Sequence, residues 1–141
     1  VYISVRPERY SYDIIKNSKE FVINMPSTDM VRYTDLCGII SGRKTDKFTY
    51  CSLTKSKCEH IGSVYIAECP VNIECKVKET IHLGSHDMFI ATVEGVLVDE
   101  SLVDEQGRIE YEKAGLLVYS HGDYYALGEK LGCFGFSVRR K

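Results

Sequence analysis

The feature that most constrains this chain is a pair of long runs, Val71 to Ile81 and Asp87 to Val98, meeting at Gly84-Ser85-His86-Asp87. In the first run Val71, Ile73, Cys75 and Val77 alternate with Asn72, Glu74, Lys76 and Lys78. Successive side chains of a strand point to opposite faces, so this period predicts a strand with one face on a core and the other on solvent. The glycine-led turn between the runs predicts a hairpin.

Shorter elements fit around that hairpin. Val1, Ile3 and Val5 alternate with Tyr2, Ser4 and Arg6, and Pro7 ends that strand. Tyr10, Ile14 and Ile15 at helical spacing predict a helix over about residues 8–18. Phe21 to Met25 is a further strand, stopped by Pro26. Ser27 or Thr28 can cap a second helix, with Met30, Tyr33, Leu36, Cys37 and Ile40 as its apolar stripe and Gly42 as its end. Val64 to Ala67, Leu116 to Tyr119 and Cys133 to Val138 are expected strands, and residues 99–113 a polar surface excursion with few apolar anchors. Many antiparallel strands with two early helices argue for a β-barrel carrying helices, and against a parallel α/β sheet.

Composition bounds the function classes. A chain of 141 residues fits one domain, residues 1–141. Its 18 basic and 20 acidic residues give a net charge of −2, which supplies no field for gathering nucleic acid. The one basic cluster, Arg139-Arg140-Lys141, reads as a solvated end. No apolar run approaches the roughly 18 residues of a membrane span. The six cysteines include no C-x-x-C pair, and without secretory features they read as reduced thiols of a cytoplasmic protein. Residue 1 already resembles a strand interior, so the sequence is expected to begin partway through a domain.

Two segments concentrate hydroxyls and cations at element ends. In Ser4-Val5-Arg6-Pro7-Glu8-Arg9-Tyr10-Ser11-Tyr12, a strand end leads into a helix start, where free N–H groups and the dipole attract anions and arginine adds bidentate phosphate recognition. In Ser41-Gly42-Arg43-Lys44-Thr45-Asp46-Lys47-Phe48, Gly42 lets backbone approach a ligand and Arg43 or Lys47 brings positive charge. On local evidence each segment reads first as a charged, solvated turn. The four histidines, His60, His82, His86 and His121, show no metal-ligand spacing, and no nucleophile elbow or dinucleotide fingerprint occurs. From the residues alone, a small phosphorylated ligand is as far as the chemistry goes.

The first segment, followed by Glu20-Phe21-Val22-Ile23-Asn24-Met25-Pro26, resembles flavin reductase-like proteins, including their flavoredoxin branch. So do Cys37-Gly38 with Ser41-Gly42-Arg43, Asp46-Lys47-Phe48, Ile73-Glu74-Cys75-Lys76 and Phe134-Gly135-Phe136-Ser137-Val138, in that order along the chain. The resemblance implies a mainly β fold, an antiparallel FMN-binding split β-barrel of Greek-key type with two or three short α-helices. It implies a homodimer with flavin near the interface, and further N-terminal strands that this sequence lacks. By resemblance, Ser4, Val5 and Arg6 run beside the flavin. Arg6, Arg9, Tyr10 and Ser11 approach its ribityl-phosphate, and Ser41, Gly42 and Lys47 complete the phosphate side. FMN is expected over FAD, with NAD(P)H as electron donor to a flavin or ferric-type reductase. The alternatives are a flavoredoxin-like carrier fed by a redox protein, a non-catalytic FMN-binding module, and a flavin-free interaction domain. His121, Tyr124 and Tyr125 lie in a late loop within reach of the ring or of a dimer partner.

Overall fold

A computed structural model describes residues 1–138; the basic cluster Arg139-Arg140-Lys141 falls outside them. In chain order the elements are β1 (Tyr2–Val5), α1 (Tyr10–Ser18), β2 (Glu20–Met25), α2 (Val31–Ile39), α3 (Lys47–Cys51), β3 (Lys55–Lys57), β4 (Val64–Ile66), β5 (Val71–His82), β6 (Asp87–Val98), β7 (Leu117–Ser120) and β8 (Asp123–Ala126). The main sheet is antiparallel throughout, in the order β1-β6-β5-β2, and two separate hairpins pair β3 with β4 and β7 with β8.

The long hairpin is the frame. Its register shifts twice, between Glu74 and Cys75 and between Val77 and Glu79. Such bulges increase local twist and curl a sheet. On the concave side Phe89, Cys75, Ala91 and Phe21 are buried against Tyr12 and Ile15 of α1. Ile73 joins that cluster to a second one, in which Val71 packs with Leu102 and Ala114. Residues 99–113 are therefore anchored more firmly than their polarity suggests, with Leu102 buried and Val103 bridged to Ile109.

The opposite face of β5 departs from the simple in–out reading. Asn72 and Glu74 are buried, Glu74 completely at 0% exposure. The chain between β3 and β4, with β4 itself, covers that face, and polar side chains of the sheet grip its backbone. Glu20 accepts the Gly62 amide (2.8 Å), Asn24 the Ile66 amide (2.9 Å), and Glu74 the amides of Glu59 (2.9 Å) and His60 (2.8 Å). The His60 ring also meets Glu74 at 3.1 Å, lying so close over Gly95 that a Cβ there would sit 2.5 Å from Nδ1.

Several local expectations are corrected. The second helix begins as a 3-10 turn, Thr28–Met30, and α2 ends at Ile39 with Ile40 extended, two residues before Gly42. Ser27 precedes the turn without capping it through its side chain. Of the expected stripe Met30 alone is fully buried, because α2 flanks a cleft and does not lie on the sheet core. Cys133 to Val138 is no strand: it turns at Gly135 (φ +77°) into a 3-10 turn, Phe136–Val138. The partner of β7 is instead β8, reached through His121 (φ +52°) and Gly122 (φ +96°). Two successive positive-φ residues make the turn whose twist suits a two-residue hairpin loop.

Candidate functional site

A cleft of about 730 Å³ opens between the N-terminal half of α1, the loop after α2, the start of α3, and β2 with the approach to β4. It brings together the two segments singled out in the sequence. Arg9, Tyr10 and Ser11 line one side, and Ser41, Gly42 and Lys47 line the other.

Each side has a local cause. Arg9 is the N-cap of α1 in an extended conformation (φ −71°, ψ 140°), and no side chain caps the helix. First-turn amides of a helix have no intrahelical acceptor, and they carry the positive end of its dipole. Across the cleft Gly42 comes so close to Tyr10 that a Cβ would stand 3.0 Å from Cδ1 of its ring. Arg43 then lies over the same ring, its guanidinium carbon 5.4 Å from the centroid. Ser41 shapes the loop, its Oγ accepting the Arg43 amide at 3.3 Å.

Asp46-Lys47-Phe48 is explained residue by residue. Asp46 caps α3, accepting the Phe48 amide (3.1 Å), the Thr49 hydroxyl (3.1 Å) and the Lys55 ammonium (3.3 Å). The Thr49 and Lys55 bonds hold its carboxyl below the usual range, against the smaller effect of burial. Lys47 donates to the carbonyl of Cys37, securing the C-terminal end of α2. Phe48 lines the cleft, and the Lys55 ammonium stands 4.8 Å from its ring centre.

Ser4, Val5 and Arg6 stand outside the lining of this cleft. Ser4 and Val5 pair with Met88 and Asp87 at the end of β1, and Arg6 donates to His86 Nε2 at 3.3 Å. That end of the sheet holds a polar cluster that sequence reasoning missed. Asp87, the first residue of β6, is buried and accepts the Tyr12 hydroxyl at 2.6 Å, with His82 Nδ1 at 2.8 Å. The Tyr12 and His82 bonds hold the Asp87 carboxyl low, and the same bond to Asp87 pushes the Tyr12 phenol up. In the late hairpin, Tyr124 donates to Asp35 of α2 at 3.2 Å and packs on Tyr119, whereas Tyr125 is exposed. Arg43, one of the two cations the sequence offered for this segment, lines the cleft, and Phe48 could have been found by its place beside Lys47. The Glu74 and Asp87 clusters join residues far apart in the chain and carry no such local signal.

These features, a curled antiparallel sheet flanked by short helices and a cationic cleft at a helix start, are those of a split-barrel flavoprotein. A family model described as "Flavin reductase like domain" matches residues 1–128, and the chain belongs to that family. Among solved structures it is similar to the flavoredoxin of Desulfovibrio vulgaris (Miyazaki F), at 32% identity and a TM-score of 0.90, covering 98% of this chain and 76% of that one. It is also similar to an FMN-binding protein from Thermus thermophilus, at 25% identity and a TM-score of 0.77, covering 94% of this chain and 71% of that one. A protein of Archaeoglobus fulgidus is 27% identical over 110 residues, 78% of this chain; the match spans 62% of that relative's length. No helix among the described residues is long and apolar enough to cross a membrane.

Proposed function

We propose that this protein binds FMN and works as a flavin-dependent oxidoreductase, with NAD(P)H as the electron donor. The observation that carries this reading is the meeting of Arg9, Tyr10 and Ser11 with Ser41, Gly42 and Lys47 in one cleft. The residues fit the phosphate end of a flavin. An uncapped helix start supplies amide donors, two serines supply hydroxyls, and Arg9 and Arg43 supply charge-assisted bonds. Gly42 keeps the loop close to Tyr10, and the cleft is within the usual size of a small-molecule site. Ser4, Val5 and Arg6, which lead towards the Arg9 cap, would run along the remainder of the cofactor. FMN, when bound, supplies hydride acceptance and onward electron transfer. The chain's own residues bind and orient it, and hydride transfer requires no side-chain acid or base.

The similarity to flavoredoxin favours a second reading, an electron carrier that takes electrons from another protein and never binds a nicotinamide. A homodimer belongs to both readings. Leu131 and Phe134 are 93% and 102% exposed, and Phe136 and Val138 follow them, an apolar run that suits a second copy of the chain. All six cysteines are free thiols, which suits the cytoplasm.

Fluorescence titration tests the cofactor. FMN should bind, riboflavin should bind at least tenfold more weakly, and Arg9→Ala should remove most of that difference. Equal affinity for riboflavin and FMN would overturn the phosphate assignment. Stopped-flow mixing of the flavin-loaded protein with NADH and with NADPH then separates the readings. Bleaching of flavin absorbance by either supports the reductase, and bleaching by neither leaves the carrier.

A further inference from the structure

The turn between β5 and β6 holds the chain beside the cleft from two sides. Arg6 and Arg9 are the ends of one tight turn, in which the Arg6 carbonyl accepts the Arg9 amide at 3.0 Å. Glu8 and Arg9 of that turn line the cleft. On the entering side, Arg6 Nε donates to His86 Nε2 at 3.3 Å. On the leaving side, the Tyr12 hydroxyl donates to Asp87 at 2.6 Å. The two holds come from adjacent residues of one hairpin, yet acid acts on them differently.

Arginine has donors and no acceptor, so His86 Nε2 carries no proton in this contact. The proton of the neutral ring is then on Nδ1, which meets Ser85 Oγ at 2.9 Å. Protonating Nε2 would set two donors and two positive charges against each other. Histidine is the side chain whose charge changes between about pH 5 and 8. The Asp87 contacts survive that range, because its carboxyl is held low and His82 offers Nδ1–H to it whether or not the ring is charged. The titratable and charged groups around His86 are Arg6 from β1, His82 from β5, its neighbour Asp87, and Tyr12, Asp13 and Lys16 of α1 beyond Asp87.

We propose that neutral His86 is a positioning residue for the flavin phosphate, a role that rests on the FMN assignment above. It latches Arg6, and with it the turn that carries Arg9 to the cleft; protonation of the ring opens the latch. Held at Nε, the Arg6 guanidinium keeps both Nη groups free of hydrogen bonds among the described residues. A planar fork fixed in this way loses less freedom when it meets an oxyanion. With the latch open the turn is held on its Tyr12 side alone, so FMN binds more weakly in acid. A direct effect of the charge on His86 would run the other way, since a cation near a phosphate tightens its binding.

The test is the FMN affinity of the full chain, by fluorescence titration between about pH 8 and about pH 5.5. His86→Gln sets a carboxamide oxygen where Nε2 stands, an acceptor at every pH, and serves as the reference that removes the phosphate's own ionisation. His86→Lys is a cation throughout that range. The parent's affinity relative to His86→Gln should fall about fivefold from the alkaline to the acid end, and His86→Lys should bind about fivefold more weakly than His86→Gln at both. Adding Arg6→Ala should bring the two variants level. Parallel losses in the parent and His86→Gln, or tighter binding by His86→Lys, would overturn the proposal. Nitrogen NMR of the flavin-free protein at the alkaline end should find the His86 ring protonated at Nδ1 and bare at Nε2; the opposite tautomer would overturn the latch whatever FMN does. Failure of every form to bind FMN would sink the flavin reading, and the tautomer would still decide whether the latch exists.

Discussion

Glu74 and Asp87 are the buried carboxylates of the long hairpin, and each meets a histidine, but their other partners differ. Glu74, in the middle of β5, accepts backbone amides of Glu59 and His60 and one histidine nitrogen. The Asp87 carboxylate, at the start of β6, is held by two side chains, Tyr12 from α1 and His82 from the neighbouring strand. Amides have no protonation states near neutral pH, so the two amide bonds make the Glu74 clamp a pin that fastens a loop to the sheet, with the His60 ring as its one side-chain partner. The Asp87 clamp joins groups that titrate, and it fastens the helix whose opposite face lines the cleft. Burial alone would raise the Glu74 carboxyl, but its hydrogen bonds outweigh that and hold it low.

The sharpest way to break this contrast is Glu74→Ala. Two amides and a histidine lose their acceptor at a fully buried position, and hydrogen bonds to charged groups are worth about 1.5–3 kcal/mol each. The variant should lose about 3 kcal/mol in urea denaturation, while Glu74→Gln, which keeps one acceptor oxygen, should lose less. A Glu74→Ala midpoint equal to that of the parent protein would show that the loop holds itself.

Gly95→Ala should act on the same clamp with a smaller effect. The new Cβ would stand 2.5 Å from His60 Nδ1, so the ring must swing away from Glu74. The loss is one hydrogen bond, about 1 kcal/mol. Because both changes act through one contact, the Glu74→Gln and Gly95→Ala effects should sum to more than the double variant loses. Strict additivity would place the His60 ring outside the clamp.

How much of this was legible in the sequence depends on how local the cause is. Period-two alternation in Val71 to Val77 needs only neighbouring residues, and it located β5 correctly. The cleft segments were legible because Ser11, Ser41 and the cations beside them stand where elements end. Glu74 looked solvent-facing because its covering loop lies about 15 residues away in the chain. The β7–β8 turn was missed because it places His121, and not Asn or Gly, in the left-handed region. The Phe134 to Val138 pattern misled in the other direction: alternation of apolar residues predicts a strand only where a partner strand stands beside it.

The Asp87 clamp should show itself through pH. Its carboxyl is held below the ordinary aspartate range in the folded protein, so the stabilisation is complete above the unfolded value, about 3.9, and is lost as pH falls through the folded value. Tyr12→Phe removes the hydrogen bond that contributes most to that depression. The variant should therefore be less stable than the parent at pH 6, and the gap should close as the solution is acidified below about 4. A gap that is constant with pH would mean that the Tyr12 hydroxyl contributes independently of the ionisation of Asp87.

The smallest effect on stability, and the one that most separates cleft from clamps, is expected for Gly42→Ala. Gly42 is neither in the core nor at a positive φ, so the backbone tolerates alanine. The added methyl would press on the edge of the Tyr10 ring at 3.0 Å and 3.3 Å, and that ring can yield because Tyr10 is exposed. Denaturation midpoints should then agree to within about 0.5 kcal/mol. Movement of the ring would carry Arg43 with it and widen the gap between the α1 start and the Ser41 loop, so FMN affinity should fall about tenfold, equivalent to about 1.4 kcal/mol. Riboflavin, which has no phosphate to reach that gap, should lose less. If both ligands weaken equally, the loop supports the ring of the flavin, and its phosphate lies elsewhere.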